Sequence, residues 1–120
     1  MPTILIGEDD EFLLQLMKVA LAMEGFNVKV ARDGPSALAL AAERPDAALL
    51  DVLLPGATGT EVLRELRGRD ATRDLPVVLM SGVDQSGAAV LGAQAFFRKP
   101  FTISSVVATM KGLIRPAFAR

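Results

Sequence analysis

Short, uniformly apolar runs alternate along this chain with longer stretches in which apolar positions recur every three to four residues. Ile4-Leu5-Ile6, Ala47-Ala48-Leu49-Leu50-Asp51 and Pro76-Val77-Val78-Leu79-Met80-Ser81 predict short buried strands. Phe26-Asn27-Val28-Lys29-Val30-Ala31 alternates apolar and polar, which predicts a half-covered strand. Ala95-Phe96-Phe97-Arg98 predicts a fifth strand. Between the first two, Phe12, Leu13, Leu16, Met17, Ala20 and Leu21 recur at helical spacing, with Gln15, Lys18 and Glu24 on the other side and Gly25 just beyond the end. Asp33-Gly34-Pro35-Ser36 is a turn feeding an alanine-rich helix over Ala37–Glu43, which Pro45 ends. The loop Pro55-Gly56-Ala57-Thr58-Gly59 leads into a helix that buries Val62, Leu63 and Leu66 and leaves Glu61, Arg64, Glu65 and Arg67 to solvent. The last helix has the cleanest pattern: Ile103, Val106, Val107, Met110, Leu113 and Ile114, with Thr102 as N-cap and Pro116 ending or kinking it. Gly82–Gly92 is the weakest region. Gly87 interrupts the only helix it can hold, Gln85–Leu91, and glycine costs about 1 kcal/mol in a helix interior.

Strand and helix alternate five times, which predicts an α/β fold: a doubly wound, five-stranded parallel sheet with helices on both faces and right-handed crossovers. Strand order 2-1-3-4-5 is the natural choice, and ligands of such a sheet bind beyond the strands' carboxyl ends, at the switch between strands 1 and 3. Composition sharpens this only by exclusion. A chain of 120 residues without repeat or linker fits a single domain, 1–120, with no output domain following. A formal charge of −1 gives no wholesale attraction to nucleic acid or to an anionic membrane. The absence of histidine and cysteine removes Ser-His-Asp and Cys-His catalysis, His-containing metal sites and disulfides. Glu8 arrives too early for a signal peptide, and no apolar run approaches the roughly 20 residues of a membrane span. A soluble, cytoplasmic protein is expected.

The chemistry gathers at strand ends. Gly7-Glu8-Asp9-Asp10-Glu11 places four carboxylates after strand 1, and two such groups repel by about 4 kcal/mol at ~4 Å and an effective dielectric near 20. Asp10 and Glu11 read as an acidic first helical turn, favoured by the helix dipole. Glu8 and Asp9 face the same crevice as Asp51 after strand 3, Ser81 after strand 4 and Lys99 after strand 5. Each alone has an ordinary reading: a solvated acidic turn, a cap, a strand-end serine, a surface lysine. Together they suit phosphoryl transfer onto a carboxylate. Magnesium, with manganese as an alternative, would take oxygens from Asp9, Asp51 and the Leu53 carbonyl, and reach Glu8 through water. Asp51 would attack phosphorus, and Lys99 and Ser81 would hold the remaining phosphoryl oxygens.

Four segments carry a resemblance that covers essentially the whole chain: Ile4-Leu5-Ile6-Gly7-Glu8-Asp9-Asp10-Glu11, Leu49-Leu50-Asp51-Val52-Leu53-Leu54-Pro55-Gly56, Val78-Leu79-Met80-Ser81-Gly82 and Phe96-Phe97-Arg98-Lys99-Pro100-Phe101. In these the chain resembles the receiver domain of a bacterial two-component response regulator, of stand-alone type. The resemblance implies a flavodoxin-like receiver fold, with Asp51 as phosphoacceptor, Glu8 and Asp9 as the acidic pair at magnesium, and Lys99 as the family's lysine. It also implies a switching hydroxyl at Ser81, a switching aromatic at Phe96 and a cis Lys99–Pro100 bond. The implied partners are a sensor histidine kinase or histidine phosphotransfer protein and a downstream protein, with no direct nucleic-acid or membrane contact; a homodimer stays open. Such a chain is a signalling receiver that catalyses only its own phosphorylation and slow dephosphorylation.

The chain also departs from that pattern. Ser81 and Lys99 are 18 positions apart, shorter than in most receivers by about one helical turn. The fourth of the five helices is therefore expected to be shortened to a turn or a short segment. Phe96 lacks the hydroxyl of a tyrosine. Leu53 and Val83 are bulky and apolar where attacking water must approach, which predicts slow loss of the phosphate. The competing readings are a pseudo-receiver that binds proteins without being phosphorylated, and an aspartate-nucleophile phosphohydrolase. The second needs another carboxylate just after the nucleophile, where Leu53 stands. A flavin- or dinucleotide-binding module is weaker still, because the acids after strand 1 would repel its phosphate.

Overall fold

The computed structural model of the protein describes residues 1–82 and 92–114. In chain order they form β1 (Thr3–Gly7), α1 (Glu11–Met23), β2 (Asn27–Ala31), α2 (Gly34–Ala41), β3 (Ala47–Asp51), α3 (Gly59–Arg67), β4 (Val77–Ser81), β5 (Ala95–Arg98) and α4 (Ile103–Ile114). The five strands make one sheet in the order β2-β1-β3-β4-β5, every pair parallel. This is the expected topology. The helix expected between β4 and β5, with its shortening, falls on residues 83–91 and lies outside the described residues, as do Val83 and Pro116.

The sheet separates two apolar layers. Leu5, Ala48, Leu50, Val77 and Leu79 pack against Ala37 and Ala41 of α2 and Val62, Leu63 and Leu66 of α3. Ile4, Ile6, Ala47, Leu49, Val78 and Met80 pack against Leu14, Met17 and Leu21 of α1 and Val106, Met110 and Ile114 of α4. β3 and β4 are buried along their whole length, which explains their uninterrupted apolar runs. β2 is an edge strand that alternates exposed and partly buried residues until Ala31.

Two expectations about helix faces are corrected. α1 buries Met17 and Leu21 and half-buries Leu13 and Ala20 as expected, but Phe12 and Leu16 stay exposed and Leu14 turns to the sheet in their place. Arg67 does not stand in solvent: its guanidinium donates to the carbonyls of Thr72 and Gly92 and to the Gln94 side chain. Gln94 Oε1 also accepts the Val77 N–H at 2.7 Å, so this group ties the end of α3 to the starts of β4 and β5.

Helix starts are fixed by side-chain oxygens taking N–H groups that lack an intrahelical partner. Asp10 accepts from Phe12 and Leu13, and Asp33 from Ser36. Thr58 and Glu61 form a reciprocal capping box at α3, and the Thr102 hydroxyl accepts the Ser105 N–H at α4. Each cap lies on the carboxyl-end side of the sheet, where the candidate site is.

Candidate functional site

The register lines up the strand ends. Ala31, Gly7 and Leu50 pair across β2, β1 and β3, so the next residue of each, Arg32, Glu8 and Asp51, stands in one row beyond the sheet. Glu8 is pinned there by its N–H on the Ala31 carbonyl at 3.0 Å, and Asp51 by the Val52 N–H on the Met80 carbonyl at 2.8 Å. From the other side, the Lys99 N–H on the Ser81 carbonyl at 2.7 Å holds the end of β5 against β4. The Lys99–Pro100 peptide bond is cis.

Glu8 is fully buried and Asp51 is 4% exposed, an expensive location for two carboxylates unless each is bonded. The Lys99 ammonium bridges them, at 2.9 Å from Glu8 Oε1 and 2.7 Å from Asp51 Oδ2. Backbone N–H groups take the other oxygens: Asp10 donates to Glu8 Oε2 at 3.1 Å and Leu53 to Asp51 Oδ1 at 2.9 Å. Burial still dominates at Glu8 and raises its carboxyl above the usual range, against the lowering effect of Lys99 and the Asp10 N–H; Asp51 adds to the rise. Burial alone would lower the Lys99 ammonium, but its bonds to Asp51 and Glu8 outweigh it and the group is held above its ordinary value.

Asp9 is exposed and completes the group, with one oxygen from each of Glu8, Asp9 and Asp51 within 4.8 Å of the others. Two buried carboxylates and one open to solvent, all offering hard oxygen ligands, fit a divalent cation such as magnesium. The side chain of Leu53 is 60% exposed beside Asp51. Its carbonyl belongs to the turn that follows β3. Gly59 explains how that turn closes: any Cβ there would collide with the Asp51 carbonyl oxygen, so only glycine lets α3 begin against the Asp51 backbone.

The structure thus brings together Glu8, Asp9, Asp51 and Lys99. Ser81 is buried at the end of β4, opposite Arg98 in the sheet. Phe96 lies further back, paired with Leu79 and packed against the α2/α3 layer. One feature escapes any reading of spacing. Arg32 meets Glu11 in a two-pronged ion pair, Nε to Oε2 and Nη2 to Oε1, both at 3.0 Å. Only the strand order, which sets the end of β2 beside the start of α1, gives a signal for it.

Residues 4–111 match the response regulator receiver domain family. The chain is 40% identical over 119 residues to the transcriptional regulatory protein CpxR of Klebsiella pneumoniae, covering 96% of this chain and 50% of that protein. It is 37% identical over 118 residues to the probable transcriptional regulatory protein TcrX of Mycobacterium tuberculosis, covering 94% of this chain. It spans half the length of each of these curated relatives. Among solved structures, the receiver domain of Francisella response regulator 1452 superposes with a TM-score of 0.89 at 25% identity, over 98% of this chain and 99% of that one.

Proposed function

The chain belongs to the response regulator receiver domain family, whose setting is phosphorelay signalling, and from that premise we propose that Asp51 accepts a phosphoryl group from a phosphohistidine protein. The donor is a sensor histidine kinase or a histidine phosphotransfer protein. The observation that carries this reading is the Lys99 bridge between Glu8 and Asp51 with Asp9 inside the same 4.8 Å group. A nucleophilic carboxylate, a mobile ammonium and a divalent-cation site within one crevice are the parts that phosphoryl transfer onto aspartate requires.

The chain's own groups divide the work. Asp51 Oδ2 is freed for bonding to phosphorus when Lys99 moves its ammonium to a phosphoryl oxygen. The donor's N–P bond breaks as the O–P bond forms, and the imidazole left behind takes a proton from solvent. The Leu53 N–H keeps Asp51 Oδ1 oriented. A magnesium ion held by Glu8, Asp9, Asp51 and the Leu53 carbonyl supplies, when bound, charge neutralisation for the incoming anion. Ser81 is the hydroxyl on the far side of Asp51 and Phe96 the aromatic behind it, and these two are assigned the conformational response. Leu53 covers the approach of water, so the phosphate is lost slowly. Among the described residues no helix is long and apolar enough to cross a membrane, which supports a cytoplasmic place for this exchange.

The test is an intact mass after incubation with magnesium and acetyl phosphate. One phosphoryl adduct on the parent, absent from Asp51→Ala and from protein stripped of divalent cation, is expected. No adduct on a folded parent would instead favour an interaction module that is never phosphorylated.

A further inference from the structure

Arg32 stands in the same row as Glu8 and Asp51, one strand beyond Glu8. Adjacent strands lie about 4.8 Å apart, so the end of β2 is roughly 10 Å from the end of β3, about one Debye length at 0.1 M salt. The guanidinium uses Nε and Nη2 to grip Glu11, whose carboxylate also accepts from Gln15 at 3.2 Å. Both partners of the pair are half exposed. The rest of this rim is mainly acidic: Asp9 and Asp10 are exposed and Asp33 is half-buried, with the Lys99 ammonium bound between Glu8 and Asp51. An anionic phosphoryl donor must therefore cross a negative mouth to reach Asp51, and the Arg32–Glu11 pair is where one of the mouth's carboxylates is cancelled.

We propose that Arg32 is a steering and positioning residue for the phosphoryl donor: by neutralising Glu11 it lowers the negative potential over Asp51, favouring capture of the anion and tempering affinity for the cation. This rests on the receiver reading above. The covalent step is unchanged by it. With acetyl phosphate, the phosphorus bond to the acetyl oxygen breaks, the bond to an Asp51 oxygen forms, and acetate leaves, with no proton transferred.

The test is a charge cycle of four proteins: parent, Arg32→Ala, Glu11→Gln and the double variant. Phosphorylation by acetyl phosphate is followed by mass at saturating magnesium, and magnesium affinity is measured separately by calorimetry. One unit charge at such a separation shifts each quantity by about two- to four-fold at low salt. Arg32→Ala is expected to slow phosphorylation and tighten magnesium. Glu11→Gln should do the reverse, and the double variant, whose local charge equals the parent's, should return near it. All differences should shrink at high salt. A purely structural role would weaken both quantities together and ignore salt, and that result, or four indistinguishable proteins, would overturn the inference. Should Arg32→Ala fail to fold, Glu11→Gln tests the same field with the opposite sign. A parent that takes up no phosphate contradicts the receiver reading itself and removes this inference with it; a phosphorylated parent with unresponsive variants contradicts only the role of Arg32.

Discussion

At the scale of single residues, the site depends on groups that are costly to bury and on small ones that let them be buried. Glu8 and Asp51 share a single ammonium, and backbone N–H groups take their remaining oxygens. Gly59 contributes by having no side chain, because its backbone lies against the Asp51 carbonyl. Under the proposed function, Leu53 would set the lifetime of the phosphorylated state. Its exposed side chain is apolar and offers an attacking water no hydrogen bond. Leu53→Asn should therefore speed loss of the phosphate severalfold with little change in its uptake, as read by the decay of the intact-mass adduct after donor removal. An unchanged decay would show that Leu53 does not govern the water.

At the scale of elements, the helices are held by their starts. The α3 capping box unites Thr58 and Glu61, and the Thr58 N–H holds the Glu61 carboxyl below its ordinary 4.5. A carboxylate whose folded value is lowered adds stability above its unfolded value and loses it as pH falls through the folded one. Thr58→Ala should cost about 1 kcal/mol in denaturant titration, and carbon NMR should find Glu61 still titrating below 4.5, because the backbone N–H at residue 58 survives the substitution. α1 carries a different message. Phe12, Leu16, Val19 and Met23 remain exposed at 4-3-4 spacing, and Phe12 is 75% exposed just beyond the Asp9–Asp10 turn. A phosphohistidine protein reaching Asp51 would cover the start of this stripe. Phe12→Ser, which removes the apolar ring without adding charge, is expected to slow transfer from such a protein about tenfold while leaving acetyl phosphate uptake unchanged. Equal effects on both donors would place Phe12 in the folding of the site, not in docking. The same helix shows where sequence patterns stop being informative. Its apolar residues occupy three sides, so periodicity alone could not separate Leu14, which is core, from Leu16, which is not. β3 and β4 left no such ambiguity, because strands buried on both faces are apolar throughout.

At the scale of the whole molecule, function follows from topology. Parallel strands deliver Glu8, Asp51, Ser81 and Lys99 to one edge from positions far apart in the chain, and the order β2-β1-β3-β4-β5 sets the acids between Arg32 and Lys99. That convergence was legible in the sequence, since each residue stands within two positions of the end of an apolar run whose direction is dictated by the alternation of strand and helix. The Arg32–Glu11 and Arg67–Gln94 links were not legible. They join loops and helix ends across 21 and 27 positions, and no local pattern encodes such meetings. The central claim is that the edge exists to place a phosphoryl group on Asp51. An aspartyl phosphate is an acyl phosphate, which borohydride reduces to an alcohol, so the acceptor can be marked where it stands. After incubation with magnesium and acetyl phosphate, reduction and peptide mass spectrometry should find homoserine at position 51. Homoserine at another position, or none in a folded protein, would contradict the account.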